Sequence, residues 1–481
     1  MQPKNMLVLM SDEHNAKILG CHGNELAKTP HIDALAARGT RFSTAYCNSP
    51  ICIPARAAFA TGRYINQIGY WDNADPYEGS EPSWHHRLRD SGHEVVSIGK
   101  LHFRGGDDNG FSEEILAMYV VEGLGDLMGL VRSDLPVRGG AYKIARSAGP
   151  GESEYTAYDR DITARAVRWL KAAAKQHDKP WTLFVSWVCP HFPLTAPQQF
   201  YDLYAPDRMP WPKLYGQAER PVHPYVRDYA GSCNYDDHFD DEKVRVAIAA
   251  YYALCSFLDD NIGQVMAALN DAGLAGDTNV MYTSDHGDNL GARGLWGKST
   301  MYEEAARVPL IMAGPDVPVG VVRDAPVTHV DCYPTFLECA GEAQNEAERT
   351  YPGHSLFDIA AGAAPERTIL SEYHAMGSTT GAFMIREGHY KYVYYVGYPP
   401  QLFDLKADPE ELVDLGEVAD FADIRARCEA KLRAVLDPES TDARAKARQQ
   451  AQIARHGGRD AVIARGDLGY SPPPGLPVDF R

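Results

Sequence analysis

The chain has 481 residues, 44% of them hydrophobic, enough to bury a large core and to form one big domain with a smaller one. Its formal net charge of -18 argues against nucleic acid and anionic membrane surfaces as partners, and no stretch has the apolar length that crosses a bilayer. The start, Met1-Gln2-Pro3-Lys4, lacks a signal-peptide pattern, and the nine cysteines are scattered without a metal-knuckle or disulfide spacing, so the expected setting is a reducing cytoplasm.

An anionic substrate then needs a locally positive pocket, which makes each clustered Lys, Arg and His informative. Asn5–Met10 is an apolar run of the kind that forms a buried parallel strand, and Ser11-Asp12-Glu13-His14 follows at its carboxyl end, where open α/β sheets gather ligands. Asp12 there is either a metal ligand or the cap of the next turn. Thr29–Asp33 opens a helix to about Arg38, and Thr40–Cys47 reads as a second strand. Ser49-Pro50-Ile51-Cys52-Ile53-Pro54-Ala55-Arg56 leads into a helical run over Ala55–Thr61, with Pro54 suited to its first turn. Cys52 falls just before that N-terminus, where free amides and the dipole favour negative charge, and Arg56 offers a fork of donors to an anion. A buried cysteine beside a surface arginine fits the same residues. Asn73, after Asp72, either donates its amide to a substrate oxygen or sits in a plain turn.

Ser83–Ser91 reads as a helix and His93–Ile98 as a strand that closes on Gly99-Lys100-Leu101-His102. Extended alternation puts Lys100 and His102 on one side, a pair suited to an anionic oxygen or simply to solvent. From Gly105 to Tyr158 the sequence is Gly-rich without clear periodicity and is expected to form loops around the substrate mouth. Tyr158–Lys175 reads as an amphipathic helix and Trp181–Trp187 as a buried strand. In the following Pro190-His191-Phe192-Pro193, two prolines stiffen the loop around His191, a fixed imidazole fit to protonate a leaving oxygen or to play a structural part. After the acidic loop Asp236–Glu242, Lys243–Asp271 is a core-facing helix, and Asn279–Thr283 is a strand ending in Ser284-Asp285-His286-Gly287. Asp285 and His286 place an oxygen and a nitrogen ligand on adjacent residues, and Gly287 lets the backbone turn sharply.

Val308–Met312 reads as another strand and Tyr333–Cys339 as a helix. From about Glu366 the texture changes to short runs, Thr368–Tyr373, Ala382–Arg386 and His389–Tyr395, in an antiparallel pattern, followed by a helix over Phe421–Leu436. Asp437–Arg481 is charged and then Pro-rich, too poor in apolar residues for its own core, and is expected as an extended tail that reaches a partner subunit.

Cys52-x-Pro54-x-Arg56 resembles the signature of type I sulfatases in the alkaline phosphatase superfamily. The other motifs agree in order, through Gly99-Lys100-Leu101-His102, Asp285-His286, Gly291–Lys298, and Gln401–Leu405 with Asp408–Glu411. The resemblance implies an α/β fold with an alkaline phosphatase-like large mixed sheet flanked by helices. A smaller C-terminal antiparallel sheet plus helix completes it, with boundaries at 1–365, 366–436 and 437–481. It implies that a formylglycine-generating enzyme oxidises Cys52, and that the hydrated aldehyde supplies one oxygen to attack sulfur and another to bind metal and later expel sulfate. Carried over residue by residue, Asp12, residue 52, Asp285 and His286 bind a divalent metal, Ca²⁺ first and Mn²⁺ or Mg²⁺ next. Arg56, Lys100, His102 and Lys298 handle charge on nucleophile and sulfate, His191 protonates the leaving oxygen, and Asn73 and Glu372 contact substrate. Two departures stand out: Glu13 is longer than the family's second acid, and Cys189 replaces the first histidine of a His-Pro-His. The pattern is most similar to the bacterial choline sulfatase, arylsulfatase and phosphonate monoester hydrolase branch, with homo-oligomers expected. Three functions follow: sulfuric ester hydrolase first, phosphonate monoester or phosphodiester hydrolase second, and a non-catalytic metal-binding scaffold third.

Overall fold

The computed structural model describes residues 2–172, 178–478 and 480. Its main sheet contains β1 (Asn5–Asp12), β2 (Gly39–Phe42), β3 (Val95–Lys100), β4 (Glu113–Met118), β5 (Thr182–Pro190), β6 (Thr278–Ser284), β7 (Leu310–Ala313) and β8 (Val321–Arg323), in the spatial order β8-β2-β7-β6-β1-β5-β3-β4. The sheet is mixed: β1 runs parallel to β5 and β6, β3 parallel to β5 and β4, and β7 antiparallel to β6 and β2. Every residue of β1, β5 and β6 is buried, as near-continuous apolar strands require when both sheet faces are covered.

The helices that cover it are α1 (Pro30–Ala37), α2 (Cys52–Thr61), α3 (Gly140–Ser147), α4 (Glu154–Ala172), α5 (Asp241–Asp271) and α6 (Cys332–Ala340). Alternation along β1 sends Leu7 and Leu9 into a core with Ile162 of α4 and Leu258 of α5, and Met6, Val8 and Met10 into a second core with Phe59 of α2 and Phe336 of α6. Each such side chain contributes roughly 1.5–3 kcal/mol by leaving water. The parallel register sets Met10 beside Ser186 and Ser11 beside Ser284, so the carboxyl ends of β1, β5 and β6 finish at one edge. A bulge between Met10 and Asp12 re-aims the last residue of β1 there.

A separate antiparallel sheet of β9 (Ile369–Tyr373), β10 (Ala382–Glu387), β11 (Tyr390–Tyr395) and β12 (Gln401–Asp404) follows in sequence order. Cys428 and Leu432 of α7 (Ala422–Val435) pack against Ile385 and Tyr392 of this sheet. The fold class expected from the sequence is therefore present.

Three expectations need correction. The Gly105–Tyr158 stretch is not simply loops, because it holds the edge strand β4, helix α3 and the start of α4. The amphipathic helix begins earlier than Tyr158, at Glu154, and the last three residues of its expected range, 173–175, lie outside the described residues. The stretch from Asp437 is not an extended tail either. It forms α8 (Pro438–Arg455) and α9 (Arg459–Ala464) and then a non-helical strap, all packed on the same chain. Sparse anchors suffice: Ala445 joins the second core, and Val462 packs on Ala74, Leu127 and Leu130. Those partner surfaces come from a distant part of the chain, which local composition does not reveal. Among the described residues no helix is long and apolar enough to cross a membrane.

Candidate active site

Helix α2 starts three residues earlier than its apolar pattern predicts, so Cys52 is its first residue rather than the one before it. The carboxamide oxygen of Asn73 accepts from the Ile53 amide at 3.1 Å and so caps an otherwise free N–H of this turn. Cys52 is fully buried, with Sγ 3.2 Å from His286 Nε2, 3.2 Å from Lys298 Nζ and 3.9 Å from Asp12 Oδ1. Burial and the Asp12 carboxylate push its thiol pKa up.

Arg56, one helical turn on, ties the strand ends together. Its Nε donates to Asp285 Oδ2 at 2.8 Å, and its Nη atoms donate to the Lys100 carbonyl at 2.8 Å, Ser186 Oγ at 3.0 Å and Asp12 Oδ2 at 3.4 Å. Lys100 closes an ion pair on the same Asp12 oxygen. Burial alone would raise the Asp12 pKa, but Lys100, His191 and Lys298 outweigh it and hold the carboxyl well below its ordinary range. Gly99 makes this approach possible: its φ is +104°, and a Cβ would lie 2.2 Å from the Ser186 carbonyl oxygen. Gly287 is required for a different reason from the sharp turn expected of it, since a Cβ there would lie 2.0 Å from the Glu304 carbonyl oxygen.

Lys298 Nζ lies 2.7 Å from His191 Nε2 and 3.2 Å from Glu13 Oε2. An ammonium only donates, so His191 Nε2 accepts and Nδ1 carries the hydrogen that it gives the Phe192 carbonyl at 2.6 Å. Burial and Lys298 keep His191 well below the ordinary histidine pKa. The His191 loop is itself held by Asp159 of α4, whose carboxylate accepts from the amides of Val188 and Cys189 at 2.8 and 2.9 Å. His102 is buried, sits at φ +55°, and neither of its ring nitrogens has a hydrogen-bond partner among the described residues. Burial, Lys100 and Arg56 hold it neutral.

The donor set fits a divalent cation. One ligand atom each from Asp12, Cys52, Asp285 and His286 lie within 4.8 Å of one another, all buried; Asp12, Glu13 and His191 form a second such group. Two carboxylates with one imidazole suit a hard cation such as Ca²⁺ and admit Mn²⁺. Glu13 Oε1 is buried, with no hydrogen-bond partner among the described residues. Burial, with Asp288 and Asp12 nearby, raises the Glu13 pKa well above its ordinary value against the pull of Lys298.

Cys52, Asn73, Lys100, His102, His191 and Lys298 line one small cavity, with Arg56 directly beneath. Glu372 does not join them. Its strand turns the side chain into the protein, where it accepts from the Asn66 amide at 2.8 Å and lies 3.1 Å from His374 Nε2. Burial raises its pKa to about 8, so it is a structural acid rather than a contact at the cavity. Sequence reasoning assigns no role to Glu13, Asp126, Tyr155 or residues 468–471, all of which border the site. An acid on the buried face of an amphipathic helix was the one available signal for Asp159.

Fold and site together define a hydrolase of anionic esters built on the alkaline phosphatase-like scaffold. A solved phosphonate monoester hydrolase of Agrobacterium radiobacter superposes with a TM-score of 0.72 at 22% identity, over 90% of this chain and 95% of that one. The family model described as Sulfatase matches residues 4–342, and that for the N-sulphoglucosamine sulphohydrolase C-terminal region matches residues 291–437. A choline-sulfatase of Rhizobium meliloti (strain 1021) is 34% identical over 423 residues, covering 86% of this chain and 82% of that one. Arylsulfatase K of Danio rerio is 30% identical over 454 residues, covering 90% and 84%. The chain belongs to the sulfatase family, and is a sulfuric ester hydrolase.

Proposed function

We propose that residue 52, matured from cysteine to formylglycine, is the nucleophilic centre, and that Asp12, Asp285 and His286 hold a divalent cation, Ca²⁺ first, beside it. The observation that carries this is the convergence on one sulfur, at the head of α2, of His286, Lys298 and Asp12 within 3.9 Å. The cation would supply Lewis-acid charge at the nucleophilic oxygen and the ester. The hydrated aldehyde would supply one oxygen for attack on sulfur and a second to release sulfate as the aldehyde re-forms.

The chain's own residues do the rest. Arg56 fixes Asp12 and Asp285 in register and offsets their charge. Lys100, His102, Lys298 and the Asn73 amide face the sulfuryl oxygens, where charge develops. Lys298 and His191 share a hydrogen bond beside Cys52, and this proton-bearing pair serves the departing alcohol oxygen. An acidic chain with scattered free cysteines supports a cytoplasmic setting.

A phosphonate monoester is also a singly charged tetrahedral ester, and it is the second reading. The test has two parts. Mass spectrometry of the residue-52 peptide, from a host able to mature sulfatases, should show the aldehyde in place of the thiol. Turnover of the sulfate and methylphosphonate esters of one alcohol should then favour sulfate. Unmodified thiol with no turnover of either ester returns the chain to a metal-binding scaffold, and preference for phosphonate replaces the first reading with the second.

A further inference from the structure

Residues Asp467–Ser471 cross the cavity mouth as a strap. Arg138, 8% exposed, binds the Asp126 carboxylate at 2.9 and 3.0 Å and also pairs with Asp467. Farther along, the Tyr155 hydroxyl donates to the Ser471 carbonyl at 2.6 Å. The Tyr470 ring lies edge-on to Tyr155 at 5.4 Å and to Phe192 at 6.0 Å, and Phe192 stacks on His191 at 4.3 Å. The strap is thus fastened at both ends and packed through Phe192 on the imidazole beside Cys52.

It is also thin. Leu468 and Tyr470 line the inner cavity at Cys52 and equally a groove on the outside, of about 740 Å³. Inside the strap the space is small: about 50 Å³ around Cys52, and about 80 Å³ in the adjoining chamber among Phe192, Tyr229, Tyr235 and Met376. The two share Asn73, Asp126, Lys298 and Gly469. A protein cavity that accepts benzene measures roughly 150 Å³, more than either space alone, so the strap narrows the room left for the alcohol without sealing it.

We propose that the strap Asp467–Ser471, pinned by Arg138, is the specificity-determining wall on the leaving-group side and disfavours sulfuric esters of bulky aryl alcohols relative to those of compact ones. This rests on the sulfuric ester reading above and adds to it the class of alcohol. Asp467 is a positioning residue, and Tyr470 is part of the wall itself.

The test compares kcat/KM for ethyl sulfate and 2-naphthyl sulfate, by sulfate release, in the full-length matured protein and in its Asp467→Ala and Tyr470→Ala variants. The difference in intrinsic reactivity between the two esters cancels when a variant's naphthyl-to-ethyl ratio is divided by that of the natural protein. Both variants should raise that ratio by about tenfold or more, the scale on which a pocket wall discriminates size. Tyr470→Ala keeps the Arg138–Asp467 pair and so reads the wall even where loss of the pair unfolds the strap. A ratio within about threefold of the natural one in a folded variant that still hydrolyses either ester overturns the strap's role. Absence of turnover of both esters by the natural matured protein overturns the sulfuric ester reading, and the strap assignment with it.

Discussion

Among the described residues, two clusters of buried charge invite comparison, and we read the first as the site. In the first, Asp12, Glu13 and Asp285 meet Arg56, Lys100 and Lys298 beside Cys52. In the second, under the C-terminal sheet, Glu303 meets Lys391 at 3.1 Å and the Tyr46 hydroxyl at 2.8 Å, while Glu411 meets Lys391 at 2.8 Å and Glu304 meets Arg293 at 3.1 Å. The acids of both are as buried as the core. The difference is which atoms converge. A cation stands between carboxylates in both, Arg56 in the first and Lys391 in the second, but among the described residues only the first brings carboxylate, imidazole and thiol atoms together, from Asp12, Asp285, His286 and Cys52. In the first, both ring nitrogens of His102 and Glu13 Oε1 have no hydrogen-bond partner among the described residues. In the second, Glu411 Oε1 and Arg293 Nε also lack one, but each belongs to a group held in an ion pair, Glu411 with Lys391 and Arg293 with Glu304. Burying polar groups costs folding energy unless they are matched. A cluster that leaves them unmatched on the wall of a cavity is built for something that arrives later.

The sharpest way to break this comparison is to remove the centre of the first cluster. Cys52→Ala should lower kcat/KM by on the order of 10⁴ or more, as loss of a nucleophile does, while the melting temperature stays within a few degrees because one small buried group is lost. If the variant keeps a tenth of the activity, the convergence on residue 52 is incidental. Next in size is the metal. Dialysis against a chelator should abolish turnover, and added Ca²⁺ should restore it together with about 3 kcal/mol of stability at 100 times its dissociation constant. Elemental analysis of the dialysed protein checks the loss. Full activity without any divalent ion would leave Asp285 and His286 a structural pair like those of the second cluster.

The first cluster was largely legible in the sequence because its residues follow apolar runs that can only be buried strands. Asp12, Lys100 and Asp285 each sit two residues beyond such a run's carboxyl end and His191 sits four beyond, so period and placement located them together. The resemblance supplied Lys298, which no period singles out. Glu372 misled because an acid in a short strand reads the same whether it faces the cavity or, as here, the amide of Asn66. The strap and Arg138 were invisible for a further reason. Their energy is in pairs such as Arg138–Asp467 and Tyr155–Ser471, more than 300 residues apart in the chain, and a charged, Pro-rich segment carries no sign of its partner. The second cluster was missed as a cluster for the same reason: Glu303, Lys391 and Glu411 belong to three separate segments.

That cluster offers the finest test, because its acids should act only on stability. Burial tends to raise the Glu303 pKa, but Lys391, Arg307 and Arg386 outweigh it and bring it down to about 2. A carboxyl depressed in the folded state stabilises above its unfolded pKa of about 4.5 and loses that contribution as pH falls through the folded value. Glu303→Gln should therefore cost about 3 kcal/mol at pH 7, the energy of the shift, and leave kcat/KM of the folded fraction within about twofold. Denaturant unfolding of both proteins from pH 7 to pH 3 reads the sign: the cost should hold down to about pH 5 and shrink to about 1 kcal/mol at pH 3. A cost that stays flat across that range would mean that Glu303 acts through packing rather than charge. A large fall in kcat/KM at neutral pH would join the two clusters into one functional network and erase the distinction between them.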